Sequence, residues 1–300
     1  MSRLLALAAL VAVLVPIAAC GEESSSGGRP TVVATTTQVA DLVREVAGER
    51  VSVDGMLRPG GDPHDYEPRP SDVASVARAE LVFRSGGEVD EWLGDVIGNA
   101  GGHARVVSLL DSVHRLGDDP HWWQDPSNAV VAVDAIRVAL ARLDPGGRAR
   151  YRRNAERVAR ELRGLDGEIA ACVKRVPPAK RRIVTTHDAL GYLARRYGIH
   201  VVGAVIPSLS TQAQASAGDV QVLVEQIRRE GVEAVFPESS VNPDIERAIA
   251  RESGARIGEP LYADSLGPEG SAGETYAGAL AADAGALVRG MSGGRVDCRL

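Results

Sequence analysis

The sequence predicts an α/β protein built as two parallel-sheet lobes joined by one long rigid helix. Three observations carry this. Short apolar runs alternate with amphipathic stretches from residue 31 onward, and the alternation starts afresh at residue 181. Between the two series lies a long stretch with no internal proline and a single apolar stripe. Strand and helix in strict alternation favour parallel strands with helices on the sheet faces.

In chain order, TVVATT (31–36), VSVDGML (51–57), ELVFRS (80–85) and ARVVSL (104–109) read as strands. QVADLVREVAG, SDVASVARA and EVDEWLGDVIGNAG read as the helices between them. Gly48 stands where a helix would stop, and Ser71-Asp72 offers an N-cap. In the connecting stretch, Tyr151, Ala155, Val158, Leu162, Leu165, Ile169 and Cys172 recur at spacings of 4 and 3 in alternation. That is one stripe along a helix of about eight turns, about 45 Å long at ~1.5 Å per residue. Pro177-Pro178 ends it. A helix of this length acts as a strut across both lobes, not as a hinge. The second series has strands RRIVTT (181–186), HVVGAVI (200–206), VEAVFPE (232–238) and ARIGEPL (255–261). Its helices are DALGYLARRYG, QVLVEQIRREG, NPDIERAIARESG and a last one from about Glu274 to Arg289. No close repeat relates the halves, so the expectation is two similar architectures and not a duplication. The divisions are an N-terminal lobe over 31–143, the connecting helix over 144–176 and a C-terminal lobe over 177–300.

The first thirty residues differ from the rest. Arg3 precedes sixteen apolar residues (4–19), then Cys20. A membrane span needs about 20 such residues, so this run suits the apolar part of a signal peptide over 1–19. Ile17-Ala18-Ala19-Cys20 resembles the lipobox of bacterial lipoproteins, which implies cleavage before Cys20 and diacylglycerol on its sulfur. GEESSSGGRP then has the composition of a flexible tether, giving a 20–30 segment that holds a folded body outside the cytoplasmic membrane. The net charge of −6, with Lys and Arg dispersed along helices, gives no footprint for nucleic acid. Cys172 and Cys298 are far apart in sequence, and an exported protein could join them or leave both free.

Of six histidines, three share a context. His64 follows a strand and a GGDP turn, His121 stands in the proline-stiffened DDPHWWQDP before a helix, and His187 ends the strand of IVTTHDALGY. This carboxyl edge is where parallel α/β sheets bind ligands. His103, His114 and His200 sit in ordinary turns or at a strand start. Asp264, in LYADSLGPEG, and Glu238, in VFPESS, also follow strand ends, although an aspartate at such a place can equally cap a turn. His64, His121, His187 and Asp264 together make three imidazoles and a carboxylate, two from each lobe. Such a set suits Zn²⁺, with Mn²⁺ possible. Four side chains leave no evident open position for a catalytic water, which favours capture over catalysis. The prolines of DPHDYEPRPSD hold His64 in place beforehand, and Asp65 or Glu67 is positioned to accept the second N–H of a ligand ring.

With these motifs assembled, the chain resembles the metal-specific substrate-binding lipoproteins that serve ABC importers for zinc and manganese. GGDPHDYEPRPSD, LVFRSGGEVDEWL, DPHWWQDPSNA, THDALGYLARRYGI and LYADSLG occur in that family's order, across essentially the whole mature chain. The resemblance implies two α/β lobes spanned by a long helix, with a metal site between them. It implies ligands at His64, His121, His187 and Asp264, an acid at Glu238 beside them, and no enzymatic activity. It also implies a permease and its ATPase as partners, a membrane anchor through Cys20, and a monomer as the working unit. Histidine at the third ligand place goes with zinc-type members, and glutamate with manganese-type ones. Many zinc-type members carry a long loop rich in histidine and acids before the second ligand, whereas GDDPH here is short.

Three rivals stand beside zinc capture. A manganese or iron carrier of the same fold differs in the third ligand. An exported zinc hydrolase would need a general base, for which Glu238 is the evident candidate, but no HExxH pattern occurs. A surface adhesin would use exposed contacts such as Trp122 and Trp123, for which burial between the lobes is the alternative.

Overall fold

The structure, a computed structural model, describes residues 28–101, 104–298 and 300. Cys20 and His103 lie outside them. In the first lobe, β1 (Thr31–Ala34), β2 (Ser52–Gly55), β3 (Leu81–Arg84) and β4 (Arg105–Ser108) form a fully parallel sheet in the order β2-β1-β3-β4. In the second, β5 (Arg182–His187), β6 (His200–Ile206), β7 (Ala234–Phe236) and β8 (Arg256–Ile257) repeat that arrangement as β6-β5-β7-β8. In each sheet the strand order switches sides after the first strand, between β1 and β3 and between β5 and β7, and the crevice at such a switch receives ligands in open α/β folds.

The helices are α1 (Thr37–Ala47), α2 (Pro70–Arg78), α3 (Leu93–Asn99), α4 (Pro126–Leu143), α5 (Arg148–Lys174), α6 (Gly191–Tyr197), α7 (Ala217–Glu230), α8 (Asp244–Ser253) and α9 (Tyr276–Met291). EVDEWLGDVIGNAG is not one helix. A 3₁₀ turn over Gly87–Asp90 precedes α3, because Gly86 and Gly87 both take positive φ and the Asp90 carboxylate accepts from the backbone N–H of Ser85 and Gly86. α5 runs 27 residues, about 40 Å at ~1.5 Å per residue, after a 3₁₀ turn at Pro145–Gly147. Its stripe is buried at Tyr151, Ala155, Val158, Leu162, Ile169 and Cys172, and half-buried at Leu165. One apolar core runs from α1 and β1 through α4 and α5 to α6 and α9, so both lobes pack on the same strut. Cys172, near the end of α5, pairs with Cys298. No helix among the described residues is long and apolar enough to cross a membrane.

Candidate metal site

Each lobe delivers two side chains to the crevice between the sheets. His187 is the last residue of β5, and Asp264 follows the segment after β8. His64 and His121 occupy loops after β2 and before α4, each preceded by Asp-Pro. The two Asp-Pro-His units fold alike. Asp62 Oδ1 accepts the His64 backbone N–H at 2.9 Å, and Asp119 Oδ1 accepts that of His121 at 2.9 Å. Proline fixes φ in the middle of each turn, so the histidine leaves it in a set direction.

The four side chains converge on one small volume. His121 Nε2 lies 3.4 Å from His64 Nε2 and 3.3 Å from His187 Nε2. Asp264 Oδ2 lies 3.3 Å from His64 Nε2 and 3.2 Å from His187 Nε2, and Oδ1 is 3.6 Å from His121 Nε2. A tetrahedral ion bound at ~2.0–2.1 Å from each donor has donor–donor edges of about 3.3–3.4 Å. All four residues are buried, and neither Asp264 oxygen meets a well-formed hydrogen bond among the described residues. A carboxylate removed from water in that way needs a cation.

The outward ring nitrogens explain why the Nε2 atoms face inward. His187 Nδ1 is 2.7 Å from Glu238 Oε1, and His121 Nδ1 is 2.7 Å from Asp119 Oδ1. A carboxylate at Nδ1 takes the N–H there and leaves Nε2 as the lone-pair donor. Glu238 therefore sits beside His187, a candidate ligand, with its Oε1 engaged by the His187 ring and backbone N–H. Asp119 went unnoticed in the sequence, although its signal was present in the repeated Asp-Pro-His. The expectation for Asp65 and Glu67 fails. Both are exposed, because the Pro63 turn points His64 inward while the two acids point out, and neither bonds the His64 ring among the described residues.

Burial alone would lower the His187 pKa, but the Asp264 and Glu238 carboxylates beside it together hold it well above its ordinary value. Burial would raise Asp264, and the charges of His187 and His121 instead keep it well below the ordinary range. Burial dominates at Glu238 and pushes it up, against the pull of His187. The buried carboxylates and the imidazole of His187 thus favour each other's charged forms.

Other contacts fix the site across the lobes. The Ala263 carbonyl accepts from Trp123 Nε1 at 2.8 Å and Gln124 Nε2 at 2.7 Å, which positions Asp264 from the first lobe. Gly60 N–H donates to Ser265 Oγ, and Leu266 N–H to Thr37 Oγ1. Trp122 and Trp123 are buried at this junction, so they present no exposed contact surface. His114 lies outside the site, its main chain paired with Asn128, and His200 is exposed near Glu230.

With this geometry established, comparison with known proteins finds one matching family model, the zinc-uptake complex component A family of periplasmic proteins, over residues 32–290. The chain belongs to this family. Zinc-uptake component A proteins bind metal for ABC importers and work with a permease and an ATPase; they are solute-binding proteins, not enzymes. Curated relatives of this family member include the manganese-binding lipoprotein MntA of Halalkalibacterium halodurans, 32% identical over 92% of this chain and 94% of the relative. The iron-binding protein YfeA of Yersinia pestis is 29% identical over 88% of this chain and 87% of its own length. Among solved structures, the periplasmic zinc-binding protein TroA of Treponema pallidum superposes with a TM-score of 0.83 at 29% identity, covering 88% of this chain and all of its own.

Proposed function

We propose that this protein captures Zn²⁺ outside the cytoplasmic membrane through His64, His121, His187 and Asp264 and delivers it to the permease of an ABC importer. The observation that carries the reading is the convergence of three imidazole nitrogens and a carboxylate, with five separations of 3.2–3.6 Å and one ligand atom from each residue within 4.8 Å of the others. Separations near ~3.3–3.4 Å fit the edges of a tetrahedral zinc site. Three nitrogens also favour zinc over manganese, which prefers more oxygen donors. Asp119 and Glu238 orient His121 and His187 as second partners of the rings. The lobes over 31–143 and 177–300 close on the ion from either side of the 144–176 strut. Cys20, lipidated, would tether the monomeric body to the membrane.

Relatives named for manganese and for iron support a second reading, a carrier of either metal on the same fold. Calorimetric titration of chelator-stripped protein starting at Pro30 separates the two. The zinc reading expects tight one-to-one binding that Mn²⁺ and Fe²⁺ do not displace. It also expects a loss on the order of 100-fold or more in His187→Ala. Tighter binding of manganese or iron would overturn the metal while keeping the role.

A further inference from the structure

The second lobe reaches over the crevice with the loop after β6, and this loop touches the first lobe at two places. Thr211 Oγ1 donates to Asp62 Oδ2 at 2.6 Å, and Gln212 Nε2 donates to the His64 carbonyl at 2.7 Å. Asp62 is the residue whose other oxygen accepts the His64 N–H. Both the main chain of His64 and the carboxylate that shapes its turn are therefore held by the facing lobe.

The loop is stiff enough to transmit that hold. Ser208 Oγ accepts the Ser210 N–H, and Ser210 Oγ accepts the Gln212 N–H, so successive side chains brace the backbone. At its base the Ser208 carbonyl accepts from the N–H of Asp188, the residue after His187. One braced segment thus runs from the neighbour of one candidate ligand to the main chain of another. His64 lies under this segment, its ring buried like the other three donors, so its hold on the crevice runs through the main chain that Gln212 grips and the turn that Asp62 shapes.

We infer that Thr211 and Gln212 form an interlobe clasp that positions His64 and sets how long the metal stays bound. The inference rests on the proposed metal site. Ligand exchange at a buried four-donor site needs one donor to withdraw first. The clasped loop makes that donor His64, released when the two lobes part at Asp62 and the His64 carbonyl. Thr211 and Gln212 touch no candidate donor atom, so they act by positioning. Their loss therefore shows in the rate of release more than in the number of ions bound.

The test is stopped-flow transfer of zinc from loaded protein to an excess of chromogenic chelator, comparing wild type, T211A/Q212A and T211S. The clasp predicts release at least about tenfold faster in the double variant, since two hydrogen bonds are lost and one of them is to a carboxylate. It predicts unchanged one-to-one stoichiometry and wild-type release in T211S, which keeps the hydroxyl. Release within twofold of wild type in a double variant that still binds zinc would overturn the clasp alone. A wild type that binds neither zinc nor manganese would overturn the site reading, and the clasp with it.

Discussion

At His121 two neighbours decide what the ring can do. Asp119 accepts from its Nδ1–H at 2.7 Å and also from its backbone N–H, so orientation and tautomer are set by one carboxylate. Replacing Asp119 with Asn keeps the shape but loses the charge. Zinc affinity should fall by about 10–100-fold with one-to-one stoichiometry retained, as measured by competition with a chelator. Unaltered affinity would mean the ring is held by packing alone. His187 gives a second prediction. In the metal-free protein its pKa lies well above the ordinary value, so it carries a proton that an incoming ion must expel. Affinity should therefore rise with pH, by up to about tenfold per unit for one displaced proton, and keep rising beyond the ordinary imidazole range. Titration in two buffers of different ionisation enthalpy counts that proton, and a count of zero at neutral pH would contradict the charge state assigned to His187. At this scale the sequence offered His187, Asp264 and Glu238 at strand ends and His64 and His121 in proline-stiffened loops, and the structure brings these five residues together. Asp119 was hidden only because its role depends on a fold back over two residues, which a linear motif states weakly. Asp65 and Glu67 misled because adjacency in sequence says nothing of which way a stiff turn points.

At the scale of elements, the start of α5 depends on Asp144. Its carboxylate accepts two bonds from Arg50 at 2.7 and 3.0 Å and one from the Tyr151 hydroxyl at 2.6 Å, joining the first lobe to the strut. The Arg50 guanidinium, aided by Tyr151 and opposed by partial burial, holds the Asp144 pKa at about 2 against an ordinary 3.8. A carboxyl whose pKa is lowered on folding stabilises above its unfolded value and loses that contribution as pH falls through the folded one. Asp144→Asn should thus cost about 1–2 kcal/mol near neutrality, a figure reduced for the exposure of Arg50. The cost should vanish as pH falls toward about 2, and denaturant melts at both pH values check it. The strut itself was readable from its seven-residue stripe, because a buried helix face must repeat near 3.6 residues. The broken helix after β3 was not. Its break comes from two positive-φ glycines and the Asp90 carboxylate gathering backbone N–H groups from Ser85 and Gly86, a tertiary arrangement that local periodicity does not register.

For the whole molecule, the two sheets share one strand order although their sequences do not repeat, and both aim their carboxyl edges at one crevice. That much followed from alternation and from strand-end histidines. The pairing of Cys172 with Cys298 did not, since proximity of distant thiols is a property of the packed chain. The bridge ties the far end of α5 to the C-terminal tail across 126 residues of sequence. It lies toward the end of α5 that leads into the start of β5, whereas His187 closes the other end of that strand. Reduction should therefore lower the melting temperature by roughly 10 °C, from a loop-entropy loss of roughly 3–5 kcal/mol, while zinc stoichiometry stays the same. A reduced protein that melts unchanged would contradict this.

The claim on which the rest depends is that four side chains from two lobes close on one ion. Anomalous diffraction at the zinc edge from crystals of the loaded protein tests it directly. The account predicts a single peak at about 2.0–2.2 Å from the Nε2 atoms of His64, His121 and His187 and from the Asp264 carboxylate. A peak elsewhere, or one that any of the four fails to reach, would contradict it.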